Sequence, residues 1–114
     1  SIRFADVLLM AAESLNRSGI DDTQALTYLN DVRERAFGNS DNNISASGTT
    51  LTNAIWEERR LELMGEGHRF FDLVRTGQAA SAINGFELGK HEVFPIPFEE
   101  IQFSNGNWSQ NPNY

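Results

Sequence analysis

One densely charged stretch, residues 55–75, decides how this chain folds; its sequence is IWEERRLELMGEGHRFFDLVR. Acidic and basic side chains are interspersed in it with apolar ones that favour burial. Active sites concentrate carboxylates and guanidinium groups in this way, but so do buried ion-pair networks that hold a scaffold together. What the sequence says about function depends on which of these two interpretations applies.

Helical periodicity places two carboxylates of this stretch on its apolar face. In a helix that starts near Leu51, Glu58 and Glu62 share a face with Ile55 and Leu61. A carboxylate on a buried face must be paired or hydrogen-bonded, because an unpaired buried charge is costly. We therefore expect a structural ion-pair network, and its predicted members are Glu58, Arg59, Arg60, Glu62, Glu66, Arg69, Asp72 and Arg75.

The alternative is a glycosidase in which Glu58 and Glu62 act as acid and base, because residues four apart are neighbours on a helix. Such carboxylate pairs normally come from separate elements that face each other across a cleft. Neighbouring arginines favour ionised carboxylates, which suits an ion-pair network and does not suit a general acid. We predict no catalytic residue in this chain, and no enzyme activity.

The composition excludes several other classes of function. A net charge of -7 argues against a nucleic-acid partner, because phosphate binding needs clustered cations. With no cysteine, the chain can form neither a disulfide nor a thiolate metal site. No apolar run approaches the ~20 residues that a membrane-spanning helix needs.

Two short patterns resemble cofactor motifs but lack essential residues. Residues 65–70 begin like a nucleotide-binding loop, but Phe70 stands where the third glycine is required. Residues 41–45 resemble the start of a calcium loop, but Ala46 and Thr52 replace its essential glycine and glutamate. We therefore predict no cofactor and no metal site.

Apolar spacing and breaker residues predict an all-α fold with tetratricopeptide-like helical hairpins and an irregular, proline-containing C-terminal segment. Asp21 or Asp22 can cap the second helix, and Thr49 or Thr50 can cap the third. The whole chain, 1–114, is predicted to be one domain. Its expected parts are a helical hairpin over about 2–37, a loop over 38–50, helices over about 51–76 and an irregular tail over 85–114.

Two places have the composition of a ligand-binding surface. The first is the polar loop, whose candidate residues are Asn39, Asp41, Asn42 and Asn43. The second is Trp108, which lies among small polar residues. Its ring could stack on a sugar, or it could anchor the tail to the helices, and we favour the anchor.

Several segments resemble the SusD/RagB family. The strongest signature of that family matches Ile55–Arg75, and the resemblance extends over essentially the whole chain. Its other matching segments are Arg3–Asn16, Leu29–Ala36, Phe94–Pro97, Glu100-Ile101 and Gln110–Tyr114. The family usually has glycine where this chain has Asn113.

The resemblance implies that the chain is the C-terminal part of a longer, non-catalytic lipoprotein on the outer face of the outer membrane. Members of the family bind starch- or polysaccharide-type oligosaccharides, or in some cases peptides. They act with a TonB-dependent, SusC-like transporter in nutrient uptake. The lipidated cysteine and much of the ligand surface would lie upstream of Ser1, so this chain would supply mainly scaffold. The alternative is a helical protein–protein interaction module that binds no sugar.

Overall fold

A computed structural model describes residues 2–114; Ser1, the first residue of the predicted domain, lies outside the described residues. No strand occurs within this described range. The chain divides into two compact units, one ending at Arg69 and one formed by Phe70–Tyr114. Its helices are α1 (Phe4–Ser18), α2 (Asp22–Phe37), α3 (Gly48–Glu62), α4 (Arg69–Arg75), α5 (Ala79–Ala82) and α6 (Phe98–Phe103).

A short turn joins α1 to α2 and makes them an antiparallel hairpin. α1 ends at Ser18, and the next residue, Gly19, has φ 69° and so adopts the left-handed conformation that glycine favours. Asp21 caps α2, because its side chain accepts a hydrogen bond from the Gln24 N–H at 2.9 Å. With so few residues between them, the two helices pack side by side.

The core of the first unit is formed by one face of each of α1, α2 and α3. Small alanines lie where the helices meet, and larger aliphatic side chains such as Leu9, Leu29 and Ile55 are fully buried between them. The core residues are Ala5, Leu9, Ala12, Ala25, Leu29, Val32, Leu51 and Ile55. Burial of these apolar side chains is the main favourable contribution to the stability of the unit.

α3 begins at Gly48, so the prediction that Thr49 or Thr50 caps it is wrong. The acceptor for its first N–H group comes from another helix, because Asp22 Oδ2 accepts a hydrogen bond from the Gly48 N–H at 2.6 Å. Asn16 completes the junction by donating to Asp22 Oδ1 at 2.7 Å and to the Gly48 carbonyl at 3.1 Å. One polar cluster therefore joins an end of each of the three helices.

In the second unit, side-chain amides replace regular backbone pairing. Gln110 bonds to both backbone groups of Ile96, accepting from its N–H at 2.7 Å and donating to its carbonyl at 2.9 Å. Asn111 Nδ2 donates to the Phe94 carbonyl at 2.6 Å. The prolines that flank Ile96 carry no N–H. A neighbouring strand would therefore find fewer backbone hydrogen-bond donors in this segment.

The junction predicts a specific acid sensitivity. Hydrogen bonds from the Gly48 N–H and the Asn16 amide lower the pKa of Asp22. A carboxylate whose folded-state pKa lies below its unfolded value stabilises the fold above that unfolded value, about 3.9. This stabilisation is lost as the pH falls toward the folded-state pKa. We expect Asp22→Asn to weaken the acid dependence of the free energy of unfolding, measured by urea denaturation from neutral to acid pH.

The matched control is Asp41→Asn in the exposed loop, which should leave the acid dependence of the parent chain unchanged. If Asp22→Asn unfolds with the same pH dependence as the parent, the carboxylate of Asp22 does not contribute to the junction in this way.

Candidate functional site

The two carboxylates on the apolar face of α3 are held by arginines from outside that helix. Glu58 is 5% exposed and accepts a hydrogen bond from Arg33 Nη1 at 2.6 Å. Glu62 Oε1 accepts from Arg3 Nη1 at 2.7 Å and also from Arg35. Arg3 Nη2 donates in addition to the backbone carbonyl of Glu62 at 2.7 Å. These bonds tie the start of the hairpin and the C-terminal half of α2 to α3.

A deeply buried pair joins Arg59 of α3 to Asp6 of α1. Arg59 Nη1 lies 2.8 Å from Asp6 Oδ1, and the two side chains are 6% and 7% exposed. Such a pair gains little over well-packed apolar residues, but removing one partner leaves a buried charge and is strongly destabilising. Any packing of α1 on α3 that separated these groups would therefore be unfavourable.

Other charges of the stretch form more exposed pairs. Arg3 Nε donates to Glu66 Oε2 at 3.0 Å, and this hydrogen bond lowers the pKa of Glu66. Arg60 pairs with Glu57 within α3; its hydrogen bond lowers the pKa of Glu57, and the charge of Arg69 acts in the same direction. Water and salt screen exposed pairs of this kind, so they add little to stability.

The predicted network ends in α4, where Arg75 Nε donates to Asp72 Oδ1 at 2.8 Å. Sequence reasoning placed the network within residues 55–75 and missed four partners. These are Arg3, Asp6, Arg33 and Arg35, which lie 59, 53, 25 and 27 positions from the residues that they bind. The one signal in the sequence for their role as ion-pair partners is that these charged residues lie close to the apolar stripes of α1 and α2.

The polar loop that follows α2 uses several of its polar groups internally. Asn39 Oδ1 accepts a hydrogen bond from the Asp41 N–H at 3.0 Å, and Asn43 Nδ2 donates to a carboxylate of α2. Arg33 Nε donates to the carbonyl of Asn42 at 2.8 Å. The side chains of Asp41 and Asn42 are exposed and make no hydrogen bond within residues 2–114. The structure thus leaves only these two of the loop's candidate side chains facing solvent without a hydrogen bond.

Trp108 is 55% exposed, so its ring is not the buried anchor that the sequence suggested. Its backbone N–H donates to Ser104 Oγ at 3.1 Å, and the indole makes no hydrogen bond to the described residues. The amides of Gln110 and Asn111 fix the tail instead. Trp108 and the polar loop lie in different units of the chain.

Cavities occur in both units. One of about 560 Å³ runs along α1 and α2, and its lining includes Arg3, Phe4, Leu8, Tyr28, Val32 and Arg35. A cavity of about 230 Å³ in the second unit is lined by residues that include Phe70, Asn84, Phe86, His91, Phe94 and Tyr114. The rings of Phe70 and Phe94 have centroids 6.1 Å apart, within the range of favourable aromatic contact. Both cavities are mainly apolar, with a few polar groups at their edges.

In the first unit, the carboxylates that the sequence offers as catalytic groups are already engaged in ion pairs. Each carboxylate considered as a catalytic group, Glu58 and Glu62, already accepts hydrogen bonds from guanidinium groups.

Residues 2–114 contain no cluster of three or more histidine, aspartate or glutamate side chains that could hold a metal ion. No helix in the described range is long and apolar enough to cross a membrane.

The sequence model that describes the SusD family matches residues 1–93 of this chain. The chain belongs to the SusD family. It is 34% identical to SusD-like protein P2 of Formosa agariphila, over 99% of this chain and 25% of that protein. SusD-like protein P25 of the same organism is 36% identical, over 88% of this chain and 21% of that protein.

A solved structure extends the similarity to three dimensions. The crystal structure of a SusD homolog from Bacteroides thetaiotaomicron matches with a TM-score of 0.85 and 35% identity, over 97% of this chain and 24% of that chain. The predicted fold class, all-α with tetratricopeptide-like helical hairpins, is confirmed. This SusD-family chain spans about a quarter of the length of the relatives that it matches.

The buried pair predicts a large effect on stability. We expect Asp6→Ala to lower the free energy of unfolding by about 3–5 kcal/mol, because Arg59 stays buried and loses this carboxylate. Urea denaturation followed by circular dichroism measures the change. A matched variant, Asp41→Ala, removes an exposed carboxylate and should change stability by less than about 0.5 kcal/mol. Equal effects of the two variants would contradict a structural role for the pair.

Proposed function

We propose that the full-length protein binds oligosaccharides of starch or polysaccharide type and takes part in their uptake, without catalysing a reaction on them. Membership of the SusD family supports the binding role. The observation that carries the proposal is the pairing of the signature charges in this chain. Glu58, Arg59 and Glu62 hold partners in or next to other helices, which suits a scaffold for binding loops carried elsewhere in the protein.

In this proposal the protein is a lipoprotein on the extracellular face of the outer membrane. It acts with a TonB-dependent, SusC-like transporter, and the lipid anchor belongs to a part of the protein outside this chain. The resemblance of residues 55–75 to the SusD/RagB family supports both statements, because it implies this location and this partner. We propose no nucleic-acid partner, because the net charge of -7 disfavours phosphate binding.

A second candidate function is a helical module that binds protein partners and no sugar. The cavity along α1 and α2 favours it, because Phe4 at its edge is 75% exposed and its lining is mainly apolar. Exposed apolar patches of this kind commonly mark contact surfaces between proteins. The two candidates differ in whether any oligosaccharide binds.

Calorimetric titration of the full-length protein with a panel of oligosaccharides tests the proposal. We expect at least one oligosaccharide to bind without being cleaved. If the chain supplies mainly scaffold, Asp41→Ala, Asn42→Ala and Trp108→Ala should retain the affinity of the parent protein. These variants remove the exposed candidate side chains, and none of the three side chains is part of the core.

Either of two results would contradict part of this account. The absence of binding to every oligosaccharide in the panel would favour the protein-binding module. A large loss of affinity in Trp108→Ala, with the free energy of unfolding unchanged, would show that this chain contacts the ligand directly.

The non-catalytic role predicts how Glu58→Gln behaves. Arg33 is only 20% exposed and loses a charged acceptor in this variant. We expect the free energy of unfolding to fall by roughly 1.5–3 kcal/mol, the usual value of a hydrogen bond to a charged group. Hydrolysis of oligosaccharides should be undetectable in both the parent and the variant. A parent protein that cleaves its ligand, combined with a stable and inactive Glu58→Gln, would establish the glycosidase alternative.

A further inference from the structure

The chain contains two Asn-Gly pairs, Asn84-Gly85 and Asn105-Gly106. In such a pair the backbone nitrogen of glycine can attack the side-chain carbonyl carbon of the preceding asparagine, because glycine has no Cβ to obstruct the approach. We propose that Asn84 is a site of spontaneous deamidation, and that the fold makes it convert faster than Asn105. This modification is independent of the proposed binding function.

The turn around Asn84 is lightly held. One backbone hydrogen bond closes it, from the Phe86 N–H to the Ile83 carbonyl at 3.2 Å. Gly85 has φ 80° and Asn84 does not have positive φ, which is the pattern of a type II turn. Within residues 2–114, the Asn84 side chain and the Gly85 N–H make no hydrogen bond, and Asn84 is exposed. Both reacting groups are therefore free of hydrogen bonds within the described residues, and both residues are exposed to solvent.

The turn around Asn105 is held much more firmly. Asn105 has φ 51° and Gly106 has φ 84°, so both adopt the left-handed conformation of a type I′ turn. The Ser104 carbonyl accepts from the Asn107 N–H at 3.1 Å and from Asn107 Nδ2 at 2.8 Å. Ser104 Oγ accepts from the Trp108 N–H at 3.1 Å. Ring closure requires rotation of the asparagine backbone, and these bonds resist it.

The other asparagines are less suited to this reaction. Each is followed by a residue with a side chain, which hinders the attack. In several of them the side-chain amide also makes a hydrogen bond. Asn16 donates to Asp22, and Asn107 donates to the Ser104 carbonyl. Asn84 and Asn105 are therefore the two asparagines of this chain that are followed by glycine.

The reaction needs only water. The Gly85 nitrogen gives its proton to solvent and bonds to Cγ of Asn84, the bond from Cγ to Nδ2 breaks, and ammonia leaves. Water then opens the cyclic imide at either carbonyl. The products are aspartate, or isoaspartate in which the main chain continues through the side-chain carboxyl group. No atom is oxidised or reduced.

Conversion of Asn84 changes the cavity of the second unit, because Asn84 and Gly85 line it beside Phe70 and Phe86. A neutral amide becomes a carboxylate at the edge of an aromatic, mainly apolar surface. Isoaspartate also lengthens the main chain by one atom within the turn. Both changes alter a surface that the unmodified chain keeps uncharged at this position.

Ageing of the full-length protein at mildly alkaline pH, followed by peptide mass spectrometry, tests the proposal. We expect the peptide with Asn84 to convert severalfold faster than the peptide with Asn105 in the folded protein. In urea the two rates should become similar, because both sites are then unconstrained Asn-Gly pairs. A protein methyltransferase assay for isoaspartate, applied to the isolated peptide that contains residue 84, identifies the product, and Asn84→Gln should remove its signal.

Ser104→Ala is the informative variant. It removes the acceptor Oγ of the second turn and should raise the rate at Asn105 while leaving the rate at Asn84 unchanged. Equal rates at the two sites in the folded parent, faster conversion at Asn105, or the same ratio of rates in urea as in buffer would each overturn the proposal.

Discussion

The first unit depends on arginine–carboxylate pairs between α3 and the hairpin formed by α1 and α2. Glu58 and Arg59 are adjacent in sequence and both are buried, so neither can enter the core without a partner. Their partners, Arg33 and Asp6, belong to two different helices. α3 can therefore bury its apolar face fully only when both helices of the hairpin are already in place. A helix of this length is marginal in isolation, which makes the coupling stronger.

The polar junction of Asn16, Asp22 and Gly48 constrains the same three helices at another point. It satisfies the Gly48 N–H at the start of α3 and gives acceptors to the side-chain amide nitrogen of the buried Asn16. Together with the ion pairs, it fixes both ends of α3 relative to the hairpin. Apolar burial supplies the driving force, and these polar contacts select one arrangement among the many that would bury similar apolar area.

The local features of this architecture could be predicted from sequence. Apolar stripes at helical spacing identify α1, α2 and α3, and Gly19 and Asp21 mark the turn of the hairpin, because these signals act over a few residues. The need for partners at Glu58 and Glu62 also follows from their positions on the apolar face. The identities of those partners do not, since Arg3 lies 59 residues from Glu62.

Features that depend on distant contacts or on the packed surface could not be predicted from one sequence. The cap of α3 comes from Asp22, which leaves no local pattern at Gly48. The loop amides of Asn39 and Asn43 resemble free ligand groups in sequence, but in the structure they make hydrogen bonds within the chain. Trp108 is predicted to anchor the tail, but it is 55% exposed. In each case the outcome depends on which groups meet in space.

The buried charges of the stretch that identifies the SusD family are already engaged in contacts within the first unit. Glu58, Arg59 and Glu62 hold their partners at 2.6–2.8 Å, and a ligand could pair with them only by displacing one of these partners. That exchange would separate a buried arginine or carboxylate from the partner that it holds in the fold. The free-energy cost of this separation exceeds the free energy gained from a typical hydrogen bond to a sugar. Such pairs constrain the fold and leave recognition to side chains that the fold does not use. A scaffold of this kind can keep its charged core while the loops around it vary with the ligand.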